Sequence, residues 1–163
     1  MSDPKVLLLS IKPKYVQKIL DGYKSIELRK VRPQVQEGDF ILMYESSPTK
    51  ALIGWCKVKN VICENPQALW KTVEARAGVT YTEFNSYYKN SKLGFGIYID
   101  LIHTPRKVSL EDIRKQWRDF RPPQSFYYLK TEEIPLAEQI LEHNLPKRSL
   151  LPQFSLAFSE SLS

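Results

Sequence analysis

Little in this 163-residue chain offers the chemistry of metals or disulfides. Its two histidines, His103 and His143, and two cysteines, Cys56 and Cys63, lack the clustering that a zinc site needs. The cysteines sit in one extended run at an odd separation, so on a regular strand they face opposite sides and cannot bridge; they read as reduced core fillers. No metal and no cofactor are expected. No apolar run approaches the roughly 20 residues of a membrane span, and Met1 to Lys5 has neither the basic start nor the apolar middle of a secretory signal. A cytoplasmic protein with no membrane partner is therefore expected. A separate helix-turn-helix segment, with which a duplex-DNA reader would enter a groove, is missing as well.

What is present is the length of one domain with a real core. There are 24 Lys and Arg against 18 Asp and Glu, a formal net charge of +6. That mild excess suits a phosphate-bearing partner without implying sequence specificity. Solvated lysines on an ordinary soluble protein account for it equally.

The densest local signal runs from Ser10 to Arg29. An apolar stretch, Val6 to Ile11, feeds directly into a short helix that Pro13 opens, since proline at the first helical position gives up an N–H that has no partner there. Val16, Ile19 and Leu20 share one face, and Gly22 closes the helix. Ile26 and Leu28 then alternate with Ser25, Glu27 and Arg29 as in a half-buried strand. The helix Pro13 to Asp21 rises roughly 14 Å; the strand Ser25 to Arg29 returns roughly 16 Å. The chain thus comes back to its starting level, which would set Glu27 and Arg29 beside Lys12 and the helix entrance, a favourable seat for an anion.

Further along, Lys30 and Arg32 offer a basic rim or an ordinary loop. Phe40 to Tyr44 reads as a central strand, broken by Ser46-Ser47-Pro48, whose hydroxyls either bond the neighbouring backbone or meet the polar edge of a flat ligand. In the run Leu52 to Cys63, Leu52, Gly54, Cys56 and Val58 fall on one face and Ile53, Trp55, Lys57 and Lys59 on the other. Trp55 between lysines suits either a stacking surface or a ring covered by the following helix. Asn65-Pro66 and Thr80 to Glu83 are helix starts of an excursion whose aromatics read mainly as packing. In Leu93 to Ile102, Phe95, Ile97, Ile99 and Leu101 face inward, and Asp100 either pairs with a corner cation or is solvated. Ser109 to Trp117 is a capped helix followed by the basic patch Arg114, Lys115, Arg118 and Arg121. Gln124-Ser125 and Phe126 to Tyr128 either read a base edge and stack on its face or close the barrel. Pro135 to His143 reads as a last helix with Glu138 and Glu142 outside. In the remainder, alternation at Phe154, Leu156 and Phe158 permits an added strand or a partner contact, and a tail disordered on its own fits equally.

The pattern Gly22-x-Lys24-x-x-Glu27-x-Arg29, after a helix opening Ser10-Ile11-Lys12-Pro13, resembles the signature of ASCH domains, members of the PUA-like superfold. Tyr44 to Pro48, Gly54 to Val58 and Arg121 to Leu129 fit the same family in order, so the likeness runs from about Val6 to Leu129. It points to a prokaryotic subgroup described as predicted transcriptional regulators. The resemblance implies an α+β fold, a small mixed PUA-like β-barrel with helices at its ends. It also implies RNA or a nucleotide-like ligand in a cleft beside the first helix; length and residue pattern add one domain over residues 1–145 and an extended or partner-contacting tail over 146–163.

On that reading Lys12, Lys24 and Arg29 meet phosphate or carbonyl oxygens, Glu27 orients Arg29 or accepts from a base amine, and Tyr44 and Phe126 bound the ring faces. Discrimination falls to Glu27, Ser47 and Gln124, and Ser10, Ser46 and Ser125 complete the expected ligand-binding set. A second reading is a small hydrolase, since some ASCH relatives resemble amidohydrolases of acylated cytidines and others ribonucleases. Lys24 and Glu27 are its catalytic candidates, although Glu27 stands where the amidohydrolases carry a nucleophilic threonine. A third keeps Glu27 and Arg29 as structural ion pairs and Lys24 as a solvated turn residue, while the basic surface binds DNA or a protein, in keeping with the regulator description.

Overall fold

The computed structural model describes residues 3–146. The expected tail over 146–163, with Phe154, Leu156 and Phe158, lies outside the described residues beyond Pro146. In chain order the elements are β1 (Val6–Ile11), α1 (Pro13–Leu20), β2 (Ile26–Arg29), β3 (Phe40–Glu45), β4 (Ala51–Glu64), α2 (Pro66–Val73) and α3 (Tyr81–Tyr87). They continue with β5 (Gly94–His103), β6 (Val108–Ser109), α4 (Leu110–Gln116), β7 (Phe126–Tyr128) and α5 (Ile134–Leu141). The strands form one sheet in the order β2-β5-β4-β3-β1-β7, with β6 added on β4; it curls as a half-barrel in a mixed α+β fold. β1 and β3 pair in parallel, and α1 to β2 fill the connection between them.

Local chemistry sets the helix ends as the sequence indicates. Asn65 Oδ1 accepts from Ala68 N–H at 3.0 Å, and Ser109 Oγ accepts from Asp112 N–H at 3.2 Å. Thr80 and Glu83 form a reciprocal capping box at the start of α3. Glu83 does more than cap: its carboxylate also takes the Lys14 ammonium and the Tyr15 hydroxyl, the latter at 2.9 Å. The excursion α2–α3 is thereby fastened onto α1 instead of standing clear of the sheet. A Thr80→Ala variant is expected to lose about 1 kcal/mol, the usual worth of an N-cap, read as a lower melting temperature.

Each face of the sheet has its own core. On one, Leu8, Leu42, Leu52 and Trp55 pack with Trp117 and Phe120 and with Ala137, Ile140 and Leu141 of α5. On the other, Leu7, Leu9, Ile41, Met43, Ile53 and Cys56 meet Val16 and Ile19 of α1. A third cluster, Ile26, Leu69, Val73, Phe84 and Tyr88, seats the excursion. The regular alternation expected along β4 is wrong. Met43 pairs with Gly54 but Tyr44 with Leu52, a bulge that inserts one residue and reverses the phase. Leu52 and Trp55 therefore share a face, while Ile53, Cys56 and Val58 share the other. Trp55 is fully buried, so it is no stacking surface. Its cover is the α4–α5 side, not the helix that follows it in the chain.

Other expectations also fail. Cys63 is exposed, not a core filler, while its neighbours Val61 and Ile62 pack against the cores on either side. Leu101 is 42% exposed at the end of β5. Of the two readings of Asp100, solvation holds: its side chain is 57% exposed, with Lys59 at 3.6 Å. Glu138 is buried, not outside: after α5 a left-handed turn at Glu142 folds the chain back, and Glu138 Oε2 accepts from Leu145 N–H at 2.6 Å. Among the described residues no helix is long and apolar enough to cross a membrane.

Candidate functional site

The return of the chain predicted for Ser10 to Arg29 is what the structure shows. β1, α1 and β2 meet at one end of the sheet, and between them opens a cavity of about 640 Å³, within the range of small-ligand sites. Ser10, Glu27, Arg29 and Tyr44 line it from the strands, Lys12 and Tyr15 from the start of α1, and Ser46, Ser47 and Lys50 from the β3–β4 turn. α3 contributes Glu83, Phe84 and Tyr87; the far side is Leu110 and Arg114 of α4 with Pro122 to Gln124.

A buried ionic cluster sits within this lining. Glu27 Oε2 is 2.5 Å from Arg29 Nη2, and Glu27 Oε1 is 3.4 Å from Lys24 Nζ. Lys24, only 3% exposed, also donates to the carbonyls of Ile26 at 2.8 Å and Ala77 at 2.6 Å. An ammonium has three hydrogens; two are given to these carbonyls, and the Glu27 carboxylate stands beside the group as an ion pair. Lys24 is thus neither a solvated turn residue nor a free donor for a ligand. Burial holds its ammonium below the ordinary lysine range, against the pull of Glu27. Burial alone would raise the Glu27 carboxyl, but Arg29 and Lys24 outweigh it and hold it below the usual range, so Glu27 is ionised at neutral pH.

Arg29 is held from three sides, by Glu27, by the Ser10 carbonyl at 3.0 Å and by Ser125 Oγ at 3.1 Å. Its Nε is buried without a partner. So is the hydroxyl of Tyr44, a residue 2% exposed. Burial raises the Tyr44 phenol above its ordinary value, partly offset by the charge of Arg114, so the hydroxyl keeps its proton at neutral pH. Buried donors without acceptors are rare and costly. Both residues line the cavity, and an acceptor that reached these two groups would satisfy them; Trp55 Nε1, in the adjoining core, is unpartnered in the same way.

Of the residues expected from the sequence, Ser10, Lys12, Lys24, Glu27, Arg29, Tyr44, Ser46, Ser47 and Gln124 line this cavity. Ser10 Oγ is engaged with the Pro123 carbonyl at 2.6 Å. Ser125 stands behind the lining and anchors Arg29. Phe126 does not line it: on β7, paired with Leu9 of β1, its side chain packs against the Leu7–Met43 core. The Phe126 to Tyr128 segment is a barrel strand, not a stacking platform in the cavity. Tyr44 likewise is no stacking platform: its ring is tilted on Phe120 at 5.7 Å and its hydroxyl is buried. Tyr15, Lys50, Glu83, Tyr87 and Arg114 belong to the lining and were not singled out as ligand contacts by the sequence. The capping box at Thr80 to Glu83 was the one signal pointing to α3; nothing local ties Lys50 or Arg114 to Arg29.

A family model described as ASCH domain matches residues 9–141. A curated protein named "ASCH domain-containing ribonuclease", from Zymomonas mobilis subsp. mobilis, is 23% identical over 131 residues, covering 80% of this chain and 88% of that protein. The crystal structure of ASCH from Zymomonas mobilis superposes with a TM-score of 0.78 at 21% identity, over 85% of this chain and 97% of that one. A serine-to-alanine variant of it gives 0.77 at 21% identity, over 86% and 99%. At these identities the solved structures show the fold, and it is the α+β, PUA-like architecture that the sequence led us to expect.

Proposed function

Since the chain belongs to the ASCH domain family, we propose that its cavity is an RNA site, in which a phosphodiester takes the place opposite the Tyr44 hydroxyl and Arg29 Nε. The observation that carries this reading is the pair of buried, unpartnered donors on one cavity. A phosphate offers oxygens that only accept, and it brings the negative charge the lining is short of. The lining holds Lys12, Lys24, Arg29, Lys50 and Arg114 against Glu27 and Glu83. Lys24 and Glu27 do not face the ligand as donor and base in this arrangement. They orient Arg29, whose planar fork is better suited than a lysine to a phosphate. Ser47 and Gln124 are left to contact the base or sugar.

The test is Tyr44→Phe. Because that hydroxyl has no partner within the protein, its loss is expected to leave the melting temperature unchanged or higher. Affinity for a short RNA should fall about tenfold or more, the worth of a hydrogen bond to a charged group. Unchanged affinity would remove Tyr44 from the site. Titrations with duplex DNA run in parallel decide whether DNA is a partner as well.

A second reading, cleavage of the bound RNA, is favoured by the name of the Zymomonas mobilis relative. The protonated Tyr44 hydroxyl would protonate the leaving 5′-oxygen as the 2′-hydroxyl attacks phosphorus, with Arg29 stabilising the charged phosphorane. The 2′-hydroxyl proton would go to water. In single-turnover assays Tyr44→Phe should then slow cleavage by about 100-fold or more. A variant that binds weakly but cleaves at the wild-type rate when saturated would remove Tyr44 as the acid, and a wild type that does not cleave would leave a binding protein only.

A further inference from the structure

The α3 wall of the cavity continues outside it. Tyr87 lines the cavity yet keeps 38% of its surface exposed, so one ring joins interior to exterior. Its orientation is set by neighbours. Tyr88, buried, meets it edge-on at 4.8 Å and 75° and donates its hydroxyl to the Arg29 carbonyl at 3.1 Å, while the Tyr87 hydroxyl lies 3.5 Å from the Leu28 carbonyl. Over the ring, 4.6 Å from its centroid, stands the ammonium of Lys30. Lys30 follows Arg29 directly, at the bend that ends β2. A cation inside the cavity is therefore followed at once by a cation on the Tyr87 ring.

We infer that this surface is the next subsite of the RNA site proposed above, on which reading it rests. The nucleotide adjoining the one in the cavity stacks its base on Tyr87, displacing Lys30 from the ring face onto the flanking phosphate. The arrangement selects single-stranded RNA, because a base within a duplex has both faces covered. An aromatic face with a neighbouring cation is the unit from which single-strand binding grooves are built.

The experiment compares a uridine mononucleotide with a uridine tetranucleotide. Tyr87→Ala is expected to weaken the tetranucleotide about tenfold more than it weakens the mononucleotide, the usual effect of removing one base-stacking ring. Tyr87→Phe keeps both affinities. Lys30→Ala, an exposed change that leaves the core intact, weakens the tetranucleotide and lowers the slope of log affinity against log salt by about one. Equal losses for the two lengths with Tyr87→Ala, or no loss for the tetranucleotide, overturn the subsite while leaving the cavity reading in place. A wild-type protein that binds neither length overturns both.

Discussion

Glu27→Gln is expected to lose about 3–5 kcal/mol of stability, the usual result of removing one partner from a buried ion pair. The amide keeps the shape and one acceptor oxygen, so no cavity opens. What disappears is the one negative charge, among the described residues, in contact with the buried Lys24 ammonium and the Arg29 guanidinium. Two desolvated cations then face each other, and Arg29 loses the contact that aims it. RNA affinity should fall with stability, whereas Tyr44→Phe lowers affinity alone; denaturant unfolding and titration on both variants separate the two. The wild type carries the same dependence in its acid limb. The carboxyl of Glu27 is depressed in the folded state, so its contribution is full above the ordinary glutamate value near 4.5 and is lost as the pH falls through the lower folded value. Glu27→Gln should flatten that limb. An acid limb unchanged by the substitution would show that other carboxylates dominate it.

Gly54→Ala is the second large effect, and it lies away from the charges. Gly54 has φ of +150°, a conformation that L side chains rarely adopt, and a Cβ there would stand 2.1 Å from the backbone oxygen of His103 on the paired strand. Neither party is a flexible side chain, so β4 and β5 would have to separate. We expect a cost of about 3 kcal/mol or more, measured as a lower denaturation midpoint. The bulge at this glycine also puts Leu52 and Trp55 on the Tyr44 side of the sheet. Residual folded protein should therefore bind RNA less tightly than wild type, with the Tyr44 hydroxyl displaced. Wild-type stability for Gly54→Ala would mean that the strand pair relaxes freely and that the close approach has no energetic weight.

The corner was legible because its parts lie close in sequence. A proline-opened helix ended by a glycine and followed by a short alternating strand leaves few ways to place Lys12, Glu27 and Arg29, and the lengths alone return the chain to its start. The role of Lys24 was not legible. Its spacing from Glu27 reads the same for a ligand-facing lysine, a solvated one and the clip that the structure shows. The difference is made by the Ala77 carbonyl, 53 residues away. Phe126 was misplaced for a related reason: three aromatics in a row announce a strand but not which of them faces which core, and that parity is decided by pairing with β1. The β4 phase was misread because a bulge depends on a partner strand.

Sequence by itself determined the elements, the helix caps, the family signature and the gathering of cations around one acid, because these follow from hydrogen bonding and side-chain periodicity within stretches of about 20 residues. Tertiary structure alone decided which of those groups are spent on one another and which remain open. Lys24 and Glu27 are taken up inside the protein, while Tyr44 and the Arg29 Nε are buried with their hydrogens unused. That outcome turns on the packing of α3 and α4 against a corner far from them in the chain, where burial removes the water that would otherwise satisfy every polar group alike.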